Sequence, residues 1–253
     1  MSADPISTSE WTSPRFGPLF PRFPIEYRAV EILTTVYRTD PQAILDHLPP
    51  TVQSTGDLVM IHFYQMPDVT GMGAVEESNV MIGVKVSALG RDHVGGFSPY
   101  LYISSDVGLA QGREIHGQPK KFGNTKIEIR GDIIVAEIYR NAITIARSTT
   151  PFKYQKAEIG ELSEYFPFVN NINYKIIRNI DGTEGIRQLT SRILKDVVVK
   201  ECWKGPSTLI LEPNISAPLY RLPVLETLES FYWKADFSLA PGEILVDFLS
   251  KES

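Results

Sequence analysis

The amino-acid sequence predicts a β-rich mixed fold, and two observations support this prediction. The chain of 253 residues contains 18 glycines and 18 prolines, which indicates many turns and few long helices. Short runs of apolar and β-branched residues alternate with these turn signals along most of the chain. No fixed-period repeat or low-complexity linker divides it, so we expect one domain over residues 25–253, preceded by an extended, proline-bearing arm over residues 1–24.

Several segments have the length and composition of β-strands. In chain order they are residues 27–37, 58–66, 80–89, 97–103, 125–130, 133–139, 143–146, 197–203 and 208–211. The glycines within residues 90–96 predict a turn between two of these strands. Gly131-Asp132 is typical of the two-residue loop of a hairpin, and Lys204-Gly205-Pro206 predicts a further turn.

Three segments are expected to be helical. Asp40-Pro41 is typical of an N-cap followed by proline at the first helical position, and Pro49-Pro50 would end that helix. Asp106 is expected to cap a second helix, which runs through Leu109, Ala110 and Arg113 and stops at Gly117. Residues 225–233 are the best candidate for a C-terminal helix.

Charge and composition exclude several classes of partner. The formal net charge is −5 and no basic run opposes it, so neither nucleic acid nor an anionic membrane surface is an expected partner. No stretch approaches the roughly 18 apolar residues of a membrane span, and residues 1–13 lack an apolar signal segment, so we expect a cytoplasmic protein. Cys202 is the single cysteine, which excludes an intrachain disulfide.

The sequence also lacks the usual signatures of cofactor sites. The histidines His47, His93 and His116 show no close metal-binding spacing, and the glycines form neither a phosphate-binding loop nor a dinucleotide fingerprint. We therefore expect no metal and no cofactor, and a small molecule as the ligand.

The segment from Gly112 to Lys121 suggests a reactive amine, because a lysine pair follows the helix-ending Gly117 and Pro119. A lysine attacks a ketone only as the neutral amine, and a buried site favours that form. Neighbouring residues of a strand point to opposite faces, so Lys120 and Lys121 would not be two ammonium groups in contact. We expect burial of Lys120, rather than the charge of Lys121, to have the larger activating effect.

Two parts of this segment, Gly112-Arg113-Glu114-Ile115 and Pro119-Lys120-Lys121, together resemble the signature of the acetoacetate decarboxylase family. Further segments resemble the family in the same order: Thr12-Ser13-Pro14, Tyr37-Arg38-Thr39-Asp40, Gly71-Met72-Gly73, Glu77-Ser78, Asn173-Tyr174, Asp181-Gly182 and Trp203-Lys204-Gly205-Pro206. The resemblance covers nearly the entire chain. It implies an α+β fold built on a mostly antiparallel, cone-like β-barrel with a few flanking helices, which usually assembles into homo-oligomers.

The resemblance also implies catalytic roles. Lys120 corresponds to the lysine that forms a Schiff base, and Lys121 to the second lysine beside it. Glu77 corresponds to one of two active-site glutamates and would move protons. The protonated Schiff base accepts the electrons released when a β-keto acid loses carbon dioxide. Lys120, Glu77 and Lys121 are therefore the candidate catalytic residues.

The sequence departs from the family at two positions. His62 stands where the family decarboxylases carry the other glutamate, and an imidazole can relay protons but supplies no fixed negative charge. Val30 stands where a carboxylate-binding arginine is expected, so Arg28, on the same predicted strand face, is the candidate to replace it. Tyr64, on the predicted face of His62, and Tyr102 complete the expected substrate-binding residues.

These residues favour a lysine-dependent decarboxylase that converts a β-keto acid to a ketone and carbon dioxide. An alternative keeps the lysine iminium but uses it for aldol or retro-aldol chemistry, dehydration or cyclisation of a larger keto compound, and the two departures motivate it. A non-catalytic protein that binds a small ligand is a second alternative, against which the retained Pro119-Lys120-Lys121 argues.

Overall fold

Strands dominate the computed structural model, which describes residues 11–250. The strands are β1 (Ile25–Arg38), β2 (Gln53–Val69), β3 (Gly73–Ala88), β4 (Arg91–Ile103), β5 (Lys120–Phe122), β6 (Asn124–Arg130), β7 (Ile133–Arg140), β8 (Ile143–Pro151), β9 (Gln155–Lys156), β10 (Asn170–Arg178), β11 (Glu184–Gly205), β12 (Thr208–Leu211), β13 (Glu226–Leu239) and β14 (Glu243–Asp247). The helical segments are α1 (Pro41–His47), α2 (Asp106–Gln111), a π-helical turn (Gly112–His116), α3 (Ile159–Ser163) and a 3-10 turn (Leu219–Arg221). A mostly-strand α+β fold is therefore confirmed.

The strands form two sheets. The ten-stranded sheet has the order β10-β11-β13-β1-β2-β3-β4-β5, with β9 and β14 paired to β11. β10 also pairs in parallel with β4, through Asn171 opposite Gly96 and Ile172 opposite Phe97, so the hydrogen-bonded strands form a ring. The four-stranded sheet has the order β12-β8-β7-β6.

Both faces of the central strands are buried. Ile61 and Phe63 of β2 pack in one core cluster with Ile134 and other side chains of the four-stranded sheet. Met60, on the opposite face of β2, packs in a second cluster with Trp233. Burial on both faces explains the near-continuous apolar character of these segments.

Local signals located the first helix and one hairpin correctly. Asp40 caps α1, since its side chain accepts a hydrogen bond from the backbone N–H of Gln42. β6 and β7 pair in an antiparallel hairpin around Gly131-Asp132. α2 lies where the second helix was expected, but Ser105 is its cap and Asp106 is its first residue, so the predicted cap is wrong by one residue.

The C-terminal helix expected over residues 225–233 is wrong, because β13 occupies this part of the chain. Phe231, Tyr232 and Trp233 are consecutive and at most 2% exposed, so both faces of this strand are buried. A short apolar run of this kind cannot be assigned to helix or strand by its periodicity alone.

The turn expected over residues 90–96 is also wrong, because the chain reverses at Leu89-Gly90 and β4 then runs through Gly95 and Gly96. A side chain at Gly95 would collide with the backbone oxygen of Asn170, so this glycine permits a close approach between strands. The strands on either side of Pro206 exist, but β11 and β12 pair in different sheets and form no hairpin.

Residues 11–24 contain no helix or strand. Trp11 packs edge-on against Phe20 and Phe23, and Phe20 is buried. Residues 1–10 of the expected arm lie outside the described residues, and the division into an arm and one domain stays a prediction. No helix within residues 11–250 is long and apolar enough to cross a membrane.

Candidate active site

Lys120 is buried at the start of β5. The chain leaves the π-helical turn through Gly117, whose φ of 74° is left-handed, and β5 then pairs in parallel with β4, with Lys120 opposite Leu101. The aliphatic part of Lys120 lies over Gly112, where an added Cβ would be 2.5 Å from Lys120 Cδ. The side chain of Lys120 is only 6% exposed.

Glu77 is the ionic partner of Lys120. It lies on β3, opposite Tyr64 of β2, and its Oε2 accepts a hydrogen bond of 2.8 Å from Lys120 Nζ. The side chain of Glu77 is 15% exposed. The structure thus brings together two residues that are far apart in the sequence, and the carboxylate is close enough to accept a proton from the ammonium group.

A cavity opens in front of this ion pair. Both polar and apolar side chains line it: Tyr27, Tyr64, Met66, Glu77, Gln118, Lys120, Arg192, Leu194, Phe237 and Leu239. A more open groove is lined by Arg113, Tyr174 and Arg178, among others, but does not include Lys120. We place the candidate active site in the cavity because it contains the buried amine and carboxylate.

Arg192 of β11 contributes a cation to the same cavity. Burial lowers the pKa of its guanidinium, while the nearby Tyr27, Glu77 and Tyr64 raise it. Burial, followed by the charge of Glu77, raises the pKa of the Tyr27 and Tyr64 phenols, so both remain hydrogen-bond donors near neutral pH.

Buried polar side chains lie behind the cavity and surround Asn171. The Oδ1 of Asn171 accepts hydrogen bonds from Gln118 Nε2 at 3.1 Å, Asn173 Nδ2 at 3.2 Å and Arg192 Nη2 at 3.4 Å. Its Nδ2 donates to Ser98 Oγ at 2.8 Å. These bonds fix the orientation of the groups that face the cavity.

His62 is packed behind the cavity wall and does not line the cavity. Its ring stacks on Tyr64 with centroids 5.7 Å apart, and its Nδ1 lies 2.8 Å from Thr34 Oγ1. Burial lowers the pKa of His62 from its usual value of about 6.5 to about 3, so the imidazole is neutral near pH 7. It therefore supplies no charge in place of the family glutamate.

Arg28 lies outside the cavity, contrary to its expected role in substrate binding. Its side chain is 53% exposed and pairs with Glu26 and with Asp68, the latter at 3.4 Å. The strand alternation is broken at Ala29, whose φ is 53°, and the register with β13 shifts between Tyr27 and Val30. This bulge directs Arg28 outwards and lets Tyr27 reach the cavity.

Tyr102 and Lys121 also lie outside the cavity. They are paired residues on β4 and β5, adjacent to the pair formed by Leu101 and Lys120, so they face the other side of the sheet. Tyr102 is 2% exposed within the apolar core, and Lys121 Nζ donates to the backbone oxygen of Ser216 at 2.9 Å. Neither side chain approaches the Lys120 amine from the cavity side.

Three polar cavity residues were missed from the sequence. Gln118 had a usable signal, because it lies two residues before Lys120 and so points to the same side of an extended chain. Tyr27 reaches the cavity through the bulge at Ala29, which no local signal predicts. Arg192 lies at the cavity because β11 pairs with both β10 and β13, and these long-range pairings leave no local signal in the sequence.

Within residues 11–250, no cluster of three or more His, Cys, Asp or Glu side chains is arranged to bind an ion. The polar groups of the cavity are an amine, a carboxylate, a guanidinium, an amide and two phenols. This set suits an oxygen-rich organic ligand.

The chain is similar to known proteins along nearly its whole length. The family profile described as "Acetoacetate decarboxylase (ADC)" matches residues 3–249. Acetoacetate decarboxylase 1 of Bradyrhizobium diazoefficiens is 32% identical over 251 residues, which cover 99% of this chain and 98% of that protein. The acetoacetate decarboxylase of Burkholderia cenocepacia is 31% identical over 99% of this chain and 100% of that protein.

The fold is similar to that of a solved member of the same family. The crystal structure of acetoacetate decarboxylase from Legionella pneumophila superposes with a TM-score of 0.87 at 29% identity, over 95% of each chain. The enduracididine biosynthesis enzyme MppR, solved with pyruvate, superposes with a TM-score of 0.77 at 15% identity, over 95% of this chain and 98% of MppR. At 15% identity, the similarity to MppR shows only that the two folds are alike.

Proposed function

This chain belongs to the acetoacetate decarboxylase family, and from that premise we propose that it is a carboxy-lyase that decarboxylates a β-keto acid through a Schiff base on Lys120. One observation carries the proposal. Lys120 Nζ is buried at the cavity and lies 2.8 Å from Glu77 Oε2, which can accept its proton. Family membership supports decarboxylase activity, and the geometry supports the lysine-dependent route.

The first half of the proposed reaction forms the iminium. Glu77 takes a proton from the Lys120 ammonium, and the neutral amine attacks the ketone carbon of the substrate. A carbon–nitrogen bond forms, and the ketone oxygen takes one proton from the attacking nitrogen and one from Glu77 before it leaves as water. The product is a protonated Schiff base, and Glu77 is again a carboxylate. The iminium carbon is then separated from the carboxylate by one methylene carbon.

The second half releases carbon dioxide. The bond between the methylene carbon and the carboxylate breaks, and its electron pair forms the enamine while the iminium π electrons move to nitrogen. Glu77, protonated again from solvent, donates a proton to the methylene carbon, and water hydrolyses the resulting iminium and restores the Lys120 ammonium group. The net reaction consumes one proton and converts the keto acid to a ketone and carbon dioxide. The apolar side chains of Met66, Leu194 and Phe237 line the cavity. Apolar surroundings favour this step, because the negative charge becomes more dispersed as it leaves the carboxylate in the transition state.

Carbon dioxide release from acetoacetate tests the proposal. The wild-type protein is expected to release carbon dioxide and acetone in equal amounts, and Lys120→Arg, which keeps the positive charge beside Glu77, is expected to release neither above the uncatalysed rate. Lys121→Arg is the matched control and is expected to retain activity, because Lys121 faces away from the cavity. Activity that survives in Lys120→Arg would overturn the assignment.

A second function is supported by the charge distribution of the cavity. Arg192 contributes a cation to the cavity and His62 does not line it, so the cavity can also hold a carboxylate that the substrate keeps throughout the reaction. Aldol or retro-aldol reaction, dehydration or cyclisation of a larger keto compound would use the same Lys120 iminium. Adduct formation at Lys120 without carbon dioxide release, followed by condensation with an added aldehyde, would favour this function.

Family membership also supports three less specific proposals. The ring of strands in the ten-stranded sheet would be the cone-like barrel expected from the sequence, the protein would form a homo-oligomer, and it would act in the cytoplasm. Light scattering of the purified protein tests the assembly directly, since a monomer would contradict it.

A further inference from the structure

We infer that Arg192, together with the hydroxyl groups of Tyr27 and Tyr64, binds the carboxylate of the substrate. This inference rests on the proposed function, because it assigns the acid group of the same keto acid whose ketone reacts with Lys120. The sequence predicted that Arg28 of β1 would bind the carboxylate, whereas this inference assigns that role to Arg192 of β11.

The Arg192 guanidinium forms no ion pair with a carboxylate of the described residues. Within residues 11–250, no Asp or Glu oxygen lies within 4.0 Å of an Arg192 nitrogen; its one hydrogen bond is to the amide oxygen of Asn171, and its buried Nε has no hydrogen-bond partner. Glu77 is the nearby acid, but its Oε2 is bound to Lys120 Nζ. A shielded cation without an anion is unfavourable, so a monoanionic ligand would complete the charge balance of the cavity.

One hydrogen bond of 3.4 Å, from Nη2 to Asn171 Oδ1, orients the guanidinium before the ligand arrives. Asn171 Oδ1 accepts from Arg192 Nη2, and Asn171 Nδ2 donates to Ser98 Oγ, which in turn donates to Asn79 Oδ1 at 2.7 Å. Asn171, Ser98 and Asn79 are at most 4% exposed. A guanidinium held from behind in this way needs little reordering to bind a carboxylate.

Two phenols can complete the anion site. The hydroxyl groups of Tyr27 and Tyr64 form no hydrogen bond with another residue in the stretch 11–250, and both rings line the cavity beside Arg192. Tyr27 is stacked on Phe237 with centroids 5.0 Å apart, and Tyr64 on His62. Their positions are therefore set by packing, and their O–H groups are free to donate to a ligand oxygen.

The assignment predicts selection for keto acids over neutral ketones. A carboxylate gains charge-assisted hydrogen bonds from Arg192, whereas a neutral ketone can use only the amine of Lys120. Butyrate separates the two interactions, because it has the carbon chain and carboxylate of acetoacetate but no ketone. Its binding is independent of Schiff-base formation.

Isothermal titration of the full chain with butyrate tests the inference. We expect Arg192→Gln to weaken butyrate binding by about tenfold or more, since hydrogen bonds to charged groups contribute at least that factor, and Arg192→Lys to weaken it less. Arg28→Gln removes an exposed arginine outside the cavity and is expected to bind butyrate as the wild type does. Equal affinity of Arg192→Gln and wild type, or an equal loss in Arg28→Gln, would overturn the assignment.

A measurement on the wild type alone covers the case in which Arg192→Gln does not fold. Butyrate is expected to bind at least about tenfold more tightly than butyramide, which has the same shape without the charge, and equal affinities would overturn the assignment.

Trapping of acetone with borohydride distinguishes the carboxylate site from the proposed Schiff base. Failure of acetone to label wild-type Lys120 would overturn the Schiff base, while weaker butyrate binding in Arg192→Gln would still support the carboxylate site.

Discussion

Gly112→Ala is expected to displace the reactive lysine while leaving the fold intact. The backbone of Gly112 is helical, with φ −60° and ψ −42°, so alanine fits its conformation. The added Cβ would lie 2.5 Å from Lys120 Cδ, 2.7 Å from Lys120 Cε and 2.8 Å from Gln118 Oε1. Favourable contacts between carbon atoms begin near 3.5 Å, so the lysine side chain must move by about 1 Å.

The expected changes in stability and in reactivity differ. Alanine is favoured over glycine inside a helix by about 0.5–1 kcal/mol, and the atoms that must yield belong to the ends of the Lys120 and Gln118 side chains, so the free energy of unfolding should change little. A misplacement of about 1 Å in a catalytic group can lower the rate by about 100-fold. We therefore expect near-normal stability and a large loss of Schiff-base formation.

The assay measures the rate of acetone trapping by borohydride alongside the thermal unfolding temperature. Gly160→Ala is the matched control, because Gly160 lies in α3 and an added Cβ there meets no heavy atom within 4 Å. The control should trap acetone at the wild-type rate. Wild-type trapping by a folded Gly112→Ala protein would refute the claim that contact with Gly112 positions Lys120.

Three further perturbations test other parts of the account. Glu77→Gln removes the proton acceptor beside Lys120 and should slow iminium formation by about 100-fold to 10,000-fold in a quenched trapping experiment; a wild-type rate would exclude proton transfer by Glu77. Lys121→Met should leave trapping unchanged and cost about 1 kcal/mol or less in urea unfolding, since it loses one exposed hydrogen bond; a large loss of trapping would contradict its orientation. Burial lowers the pKa of both His62 and His116 to about 3, so the unfolded chain takes up protons below pH 6.5 that the folded protein does not. Each histidine should therefore cost about 2 kcal/mol of stability between pH 7 and pH 5, and His62→Leu should lose less stability over that interval than the wild type.

Features set by neighbouring residues were predicted well from the sequence. The cap of α1 depends on Asp40 and Pro41, and the hairpin of β6 and β7 depends on the two residues between its strands. The opposite orientations of Lys120 and Lys121 follow from the alternation of an extended chain. In each case the determining residues are adjacent, so the signal is present in a short window.

Features set by long-range pairing were not predicted. Arg192 reaches the cavity because β11 pairs with both β10 and β13, and Arg28 misses it because a bulge at Ala29 breaks the alternation of β1. The assignment of residues 225–233 as helix failed because β13 is buried on both faces, which removes the two-residue period of a half-exposed strand. These outcomes depend on which strands become neighbours in the folded sheet.

The central claim is that Lys120 forms an iminium with a keto acid, and covalent trapping tests it most directly. The protein is incubated with acetoacetate, reduced with borohydride, digested and analysed by mass spectrometry. We expect an isopropyl group on Lys120 after decarboxylation, present in Lys121→Met and absent in Lys120→Arg. No adduct, or an adduct confined to another lysine, would contradict it.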